Sequence, residues 1–182
     1  ADHWRWVRAE LGRGAADAFD GWVVLRDAED RAWADDATVT WPARPWVANL
    51  ERLVVQREVA PDGRSARGTE VRAGVLDPRN GTAYEGRRTT AAAGGQALYF
   101  AVDQAWLAGD HAVEVQVTFL DDDCGGWALR YATAAGPRDA PVIACGGTGV
   151  VRTARVRLPA ARFAGLLPGA TDLAVVRAPR PC

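Results

Sequence analysis

The sequence predicts a mainly β protein, folded as an antiparallel β-sandwich or jelly roll. Three observations support this prediction. Apolar and polar side chains alternate with a period of two in several short segments of the second half. Turns rich in Gly, Pro and Asp separate those segments. The chain has 182 residues, 48% of them hydrophobic, which is enough for one buried core and predicts a single domain over residues 1–182.

The most regular strands are expected within residues 85–178. In the clearest one, apolar side chains alternate with Glu, Gln and Thr, so that one face is apolar and the other polar. The apolar positions of this strand are Val113, Val115, Val117 and Phe119. The same alternation predicts strands over 98–102, 127–131 and 153–158, and a last short strand is expected over 173–176.

Residues 1–84 are less regular. After Pro45, the apolar side chains follow the spacing of an amphipathic helix, and they predict one short helix near residues 45–55. These side chains are Trp46, Leu50, Leu53 and Val54. The β-branched pair Val54-Val55 also suits a strand, so both alternatives stay open. The short strands expected in this half are 4–10, 21–25 and 39–41.

The residues offer little catalytic machinery, so a glycoside-active enzyme is only the third hypothesis. Nucleophilic catalysis needs a base beside the nucleophile. The single serine, Ser65, lies in an Arg- and Gly-rich loop, and His3 and His111 lie near the N-terminus and at a strand start. Cysteine and histidine spacings do not match a zinc site. Glycoside hydrolysis needs two carboxylates across a cleft, and the sequence assigns no acidic pair to one.

Charge and hydropathy restrict the class of partner. Twenty-two basic and twenty-three acidic residues nearly balance, without a basic run, which argues against a nucleic-acid partner. The sequence contains no run of about 18 apolar residues, so membrane insertion is not expected. The chain begins at Ala1 without Met, as a mature chain does after removal of a leader, although a chain trimmed at its start would look the same. We therefore expect, as an inference, an extracellular or cell-surface location.

Eight tryptophans in a chain of this length allow two interpretations. An exposed indole can stack on the apolar face of a sugar ring, and this predicts a carbohydrate platform with a polysaccharide as partner. Tryptophan equally fills a core, as the phase of Trp127 predicts. Trp33 lies among charged residues, and Trp41 and Trp46 bracket a loop with two prolines. These three are therefore the candidates for exposed aromatic residues.

An acidic run, Asp121, Asp122 and Asp123, directly follows a predicted strand. Hard oxygen ligands at a strand end suit calcium, the one cofactor that the sequence suggests. The alternative, a solvated acidic turn, is the interpretation that the sequence favours. Asp103 and Asp172 lie at the ends of two other predicted strands and allow the same two interpretations.

Two of the three cysteines, Cys124 and Cys145, flank two apolar stretches joined by a Gly-Pro turn. If these stretches pair as a hairpin, both cysteines lie at its open end and can form a cross-strand disulfide. A buried thiol is the alternative. Cys182 ends the chain, where it can form an intermolecular bridge or remain a thiol.

The N-terminal segment supports a second functional hypothesis, a structural subunit of an extracellular filament, sheath or surface layer. Trp4 and Trp6 lie in a segment that can add as a strand to the sheet edge of a second copy. Cys182 would then lock the contact, and the partner would be another copy of this chain.

Six stretches of the second half together form a recurring pattern of strands and turns. They are 98–107, 113–121, 127–131, 152–156, 162–163 and 171–173. This pattern, over residues 85–178, resembles the non-catalytic β-sandwich domains appended to secreted bacterial glycoside hydrolases. Those domains are carbohydrate-binding or carbohydrate-binding-like modules. The resemblance implies a sandwich fold and a non-catalytic function in carbohydrate binding or adhesion.

Overall fold

The computed structural model describes residues 21–24, 50–57, 59, 65–67, 87–89, 96–121 and 124–178. These residues form twelve strands, paired antiparallel, and no helix. In chain order the strands are β1 (Trp22–Val24), β2 (Leu50–Arg52), β3 (Val54–Arg57), β4 (Ser65–Arg67), β5 (Arg87–Thr89), β6 (Ala97–Val102), β7 (Gly109–Asp121), β8 (Cys124–Thr133), β9 (Gly136–Asp139), β10 (Ile143–Gly146), β11 (Val150–Phe163) and β12 (Leu173–Arg177). The prediction of a mainly β, antiparallel fold is confirmed. Within these ranges no helix is long and apolar enough to cross a membrane.

Six strands form the largest sheet, in the order β10-β8-β12-β6-β3, and β9 pairs with β8 on the same edge as β10. The other described strands form three two-stranded sheets, β1-β2, β4-β5 and β7-β11. All six residues of β6 are buried, so both faces of the large sheet are covered at its centre. Successive residues of the central strands β6, β8 and β12 therefore belong alternately to two apolar clusters.

The ribbon of β7 and β11 packs against one face of the large sheet and closes the main core. The valines predicted as the apolar face of β7 meet apolar residues of β11, for example Val115 opposite Val156. The register shifts between Leu158 and Ala161, which marks a β-bulge; such a bulge bends the strand. Trp127 of β8 lies in this core, as its phase predicted.

Small side chains line the opposite face of the large sheet. Four alanines are buried there together with Tyr99 and Val176, and Leu167, between β11 and β12, packs on them. The alanines are Ala97, Ala128, Ala132 and Ala174. Because an alanine methyl group extends only a short distance from a sheet, the surface of this face is lower at the alanines than at the larger side chains beside them.

The predicted helix near residues 45–55 is wrong for residues 50–55, which form β2 and β3. Leu53, between the two strands, has a φ of 61°, in the left-handed region that interrupts a right-handed helix. Pairing of β3 with the buried strand β6 outweighs the helical spacing of the apolar side chains. It also gives Val54-Val55 the conformation that β-branched residues favour. Residues 45–49 lie outside the described ranges.

The remaining strand predictions are confirmed where the structure describes them. The predicted strands over 98–102, 113–119, 127–131, 153–158 and 173–176 lie within β6, β7, β8, β11 and β12. Strand β1 lies within the predicted segment 21–25. The segments 4–10 and 39–41 lie outside the described residues.

Candidate binding groove

The candidate site is a groove on the alanine-lined face of the large sheet. Its central row consists of register partners on four neighbouring strands. Tyr99 of β6 is paired with Ala174 of β12, Ala174 is paired with Arg130 of β8, and Arg130 is paired with Asp139 of β9. Partners directly opposite each other in antiparallel strands share one face of a sheet. Ala174 and Tyr99 are buried, so the accessible part of this row is Arg130 and Asp139.

Arg130 and Asp139 form a two-point ion pair in this row. The Nε of Arg130 donates to Oδ1 of Asp139 at 2.7 Å, and the Nη2 donates to Oδ2 at 2.9 Å. The two side chains remain 40% and 43% exposed, so a ligand can reach them. Two parallel hydrogen bonds fix the plane of both groups. The pair therefore presents an oriented polar surface with no net charge.

The walls of the groove are apolar. Leu167 and Pro168 form one of them, Pro137 lies beside the ion pair, and the open depression that these three residues line with Tyr99, Arg130 and Asp139 has a volume of about 410 Å³. A site that joins apolar walls to a few fixed polar groups suits a ligand with both apolar and polar surface.

The loop that carries Leu167 and Pro168 is held in one conformation by its own hydrogen bonds. Backbone bonds in both directions join Leu167 to Thr171, and the buried Thr171 hydroxyl donates to the Pro168 carbonyl. Ala170 has a φ of 54°, which is a strained value for a residue with a side chain. Strain of this kind persists only where the surroundings enforce it, and it clusters at binding sites.

Asp172 attaches this loop to the core. Its carboxylate is buried and accepts hydrogen bonds from the backbone N–H groups of Gly165 and Val102, at 2.7 and 2.9 Å. Its own backbone N–H donates to the Phe100 carbonyl. Asp172 is therefore not the solvated turn residue that was one of its two interpretations, and these hydrogen bonds give it a structural role that neither interpretation included. Asp103, by contrast, is exposed and accepts a hydrogen bond from the Ala105 N–H in a local turn.

Asp121, the described member of the acidic run, holds the connection between β10 and β11. Its carboxylate is completely buried and accepts hydrogen bonds from the Gly146 N–H, the Thr148 hydroxyl and the Arg152 guanidinium, at 2.7, 2.7 and 3.2 Å. Its backbone carbonyl accepts from the Gly149 N–H. Each oxygen of the carboxylate thus already has a donor.

An arginine guanidinium lies beside the Asp121 carboxylate, and the calcium site over Asp121, Asp122 and Asp123 stays a prediction. The hydrogen bond from Thr148, followed by those from Gly146 and Arg152, lowers the pKa of Asp121 below its ordinary value of 3.8, although burial acts in the opposite direction. The described residues contain no group of three or more His, Cys, Asp or Glu side chains that could hold a metal ion. Asp122 and Asp123 lie outside the described residues.

The strands that carry the two central cysteines are paired, as expected. Their register places Cys124 opposite Gly146 and Cys145 opposite Gly125, so the two cysteines are offset by one position rather than facing each other. The side chains that the structure describes form no disulfide. The Cys124–Cys145 bridge therefore stays a prediction.

The aromatic platform and the assembly segment were predicted in parts of the chain that the structure does not describe. These residues are Trp33, Trp41, Trp46, Trp4, Trp6 and Cys182. They remain candidates from the sequence. The groove, in contrast, consists of residues that the sequence patterns did not select.

Comparison of the chain with protein-family models, with curated proteins and with solved structures finds no match. The candidate site is therefore assigned from its geometry. One sequence signal could have found part of it: Arg130 and Asp139 lie at equal distances on either side of the turn between β8 and β9. A hairpin with that turn places the two charges opposite each other.

Proposed function

We propose that this chain is a non-catalytic extracellular domain that binds a saccharide. One observation carries the proposal: the accessible ion pair of Arg130 and Asp139 lies on a sheet face beside the exposed rings of Pro137 and Pro168. Sugars have apolar CH faces and hydroxyl edges. The walls suit the first, and an oriented guanidinium–carboxylate pair suits the second. The resemblance to carbohydrate-binding modules points to the same class of ligand.

The lining of the groove also favours binding over catalysis. Hydrolysis of a glycosidic bond needs two carboxyl groups on opposite sides of that bond. Asp139 is the single carboxylate among the described residues that line the groove, and it is tied to Arg130. A glycoside-active enzyme therefore remains the third hypothesis.

Affinity electrophoresis of the whole chain through gels that contain soluble polysaccharides tests the proposal. We expect retardation by at least one polysaccharide, and loss of that retardation in the double variant R130A/D139A. The matched control is E114A/R157A, which removes an exposed cross-strand ion pair on the ribbon. If no polysaccharide retards the chain, or if both double variants behave as the parent chain does, the proposed function is wrong.

A second candidate function is a structural subunit of an extracellular filament, sheath or surface layer, assembled by strand donation from the N-terminal segment. The outer face of the ribbon favours it, because two strands of 13 and 14 residues present a long exposed polar ladder there. Its paired residues include Thr118 with Thr153, Gln116 with Arg155, and Glu114 with Arg157. Among the described residues β7 and β11 pair only with each other, so each leaves one edge to which a strand of a second copy can add.

Light scattering with and without a reducing agent separates the two functions. A binding module is expected at the monomer mass of 19.5 kDa under both conditions. A structural subunit is expected to be much larger, and to lose mass on reduction or after substitution of Trp4, Trp6 or Cys182. A monomer under both conditions would refute the second candidate function.

A further inference from the structure

The charge balance of the groove bears on the kind of saccharide it accepts. The positive charge of Arg130 is matched by Asp139 at hydrogen-bond distance, through two bonds. An acidic sugar would have to break this pair, or bring its own carboxylate close to that of Asp139. Like charges at such distances repel, and the repulsion is strongest where water is partly excluded.

The pair still has hydrogen-bonding capacity for a neutral ligand. An ionised carboxylate has about four acceptor positions, and Arg130 uses one on each oxygen of Asp139. The remaining positions accept only from donors such as sugar hydroxyls. Because the bonds to Arg130 fix the carboxylate plane, these acceptors have a defined direction towards the groove.

Arg57 is the next positively charged residue along this row among the residues that the structure describes. It continues the central row, because it faces Tyr99 from the edge strand β3, and it is exposed. It does not belong to the lining of the groove. An acidic polymer that lay along the row would gain from contact with Arg57, whereas a neutral one would gain nothing electrostatic. Arg57 therefore distinguishes the two ligand classes.

We infer that the groove selects a neutral saccharide, whose hydroxyls donate to Asp139 and whose apolar face lies on the exposed rings of Pro137 and Pro168. This inference rests on the saccharide-binding function proposed above and adds the class of sugar. The ion pair acts as one unit in it: Arg130 orients Asp139, and Asp139 cancels the charge that would attract uronic acids, sulfated sugars or phosphate.

The test compares neutral polymers, namely a β-glucan, a xylan and a galactomannan, with the acidic polymers polygalacturonate and alginate. Affinity is measured for the whole chain and for D139N, D139A, R130K and R57A. Thermal unfolding of each variant confirms that it is folded. D139N keeps the shape of Asp139 but removes its charge, so it separates loss of an acceptor from loss of the fold.

For a neutral polymer, we expect D139N and D139A to weaken binding by about tenfold or more, because each removes hydrogen bonds to a charged acceptor. R57A should leave the affinity unchanged. Raising NaCl from about 0.05 to 0.5 M should change it little, because no net charge is neutralised on binding.

Two outcomes would overturn the inference in distinguishable ways. If an acidic polymer binds more tightly, loses affinity with salt and is weakened by R57A, the groove binds a saccharide but not a neutral one, and only the inference fails. If no polymer binds, or if D139A and R130K leave all binding unchanged in folded protein, the proposed function fails together with the inference.

Discussion

The buried Asp172 carboxylate accepts a 2.9 Å hydrogen bond from the backbone N–H of Val102, 70 residues away in the chain. Its other oxygen accepts from the Gly165 N–H, at the start of the loop that walls the groove. One side chain thus ties the groove wall to the end of the core strand β6. The position of Leu167 and Pro168 over the sheet depends on this attachment.

The first prediction concerns the variant D172A. It leaves two backbone N–H groups without their acceptor inside the protein, and each such group costs about 1–3 kcal/mol. We expect the free energy of unfolding to fall by about 2–4 kcal/mol, measured by urea denaturation. D103A is the matched control, because the carboxylate of Asp103 also accepts a backbone N–H but is exposed.

The control should change stability by no more than about 0.5 kcal/mol. Equal effects of D172A and D103A would contradict the role of Asp172 as an anchor. If the folded D172A chain keeps full affinity for a saccharide bound by the parent chain, the loop does not depend on this residue for its position.

The second prediction is a dependence of stability on pH through Asp121. Its pKa in the folded protein is lowered, first by the Thr148 hydroxyl, and the ordinary value is 3.8. The folded state therefore binds this proton less readily than the unfolded chain does. The stabilisation is fully present above the ordinary value and is lost as the pH falls through the lower folded value.

Urea denaturation of the parent chain and of D121N between about pH 7 and pH 2.5 tests this sign. D121N should be less stable at neutral pH, and the difference between the two should shrink below about pH 4, where Asp121 of the unfolded parent chain begins to take up its proton. T148V removes only the hydrogen bond from Thr148 to Asp121. Its loss of stability relative to the parent chain should therefore be smaller than that of D121N, and it should also shrink at low pH. A difference that stays constant over the whole range would contradict the assignment.

The third prediction uses the strained backbone of the groove loop. Ala170 has a φ of 54°, where glycine is free of the clash that a Cβ causes. We expect A170G to stabilise the fold by about 0.5–1 kcal/mol through relief of this strain. The greater entropy of the unfolded chain that contains glycine reduces this gain. The control is A135G, at an exposed turn residue outside the left-handed region.

A135G should destabilise by about 0.5–1 kcal/mol, because glycine there adds only freedom to the unfolded chain. Thermal denaturation of both variants gives the comparison. The strain interpretation fails if A170G is destabilised as much as A135G.

Local sequence patterns correctly predicted the strands for which the local alternation and the pairing with neighbouring strands favour the same conformation. The alternation from Val113 to Phe119 and the inward phase of Trp127 depend only on the period of a strand, and both are found. The helix expected over residues 45–55 was wrong because its apolar spacing fits a helix as well as a strand. Pairing with β6 determines that these residues form a strand. Each residue of β3 pairs with a residue of β6 that lies more than forty positions later in the sequence, so a local sequence pattern does not contain this information.

The groove escaped prediction for the same physical reason. Tyr99, Ala174 and Arg130 are adjacent only because three strands from distant parts of the sequence align in one register. Each residue alone is an ordinary strand residue. The acidic positions were visible in the sequence, yet Asp121 and Asp172 differ from the exposed Asp103 only in the donors that the fold brings to them.

The last prediction tests the register between β8 and β10, on which the offset of the cysteines depends. A methyl group at Gly126 would lie 2.7 Å from the Ile143 carbonyl oxygen and 2.9 Å from a Val142 methyl group. At the neighbouring Gly125 the nearest atom, the Ala178 carbonyl oxygen, is 3.9 Å away, an ordinary contact. We expect G126A to destabilise by about 1–3 kcal/mol, because a backbone atom cannot move aside cheaply.

G125A should be neutral, or stabilising by up to about 0.5 kcal/mol, since alanine restricts the unfolded chain more than glycine does. Urea denaturation of this adjacent pair measures the difference. A one-residue slip in the register of β8 and β10 would move each residue to the opposite face of the sheet. In that case G125A would be the damaging substitution, and Cys124 and Cys145 would face each other as the disulfide requires.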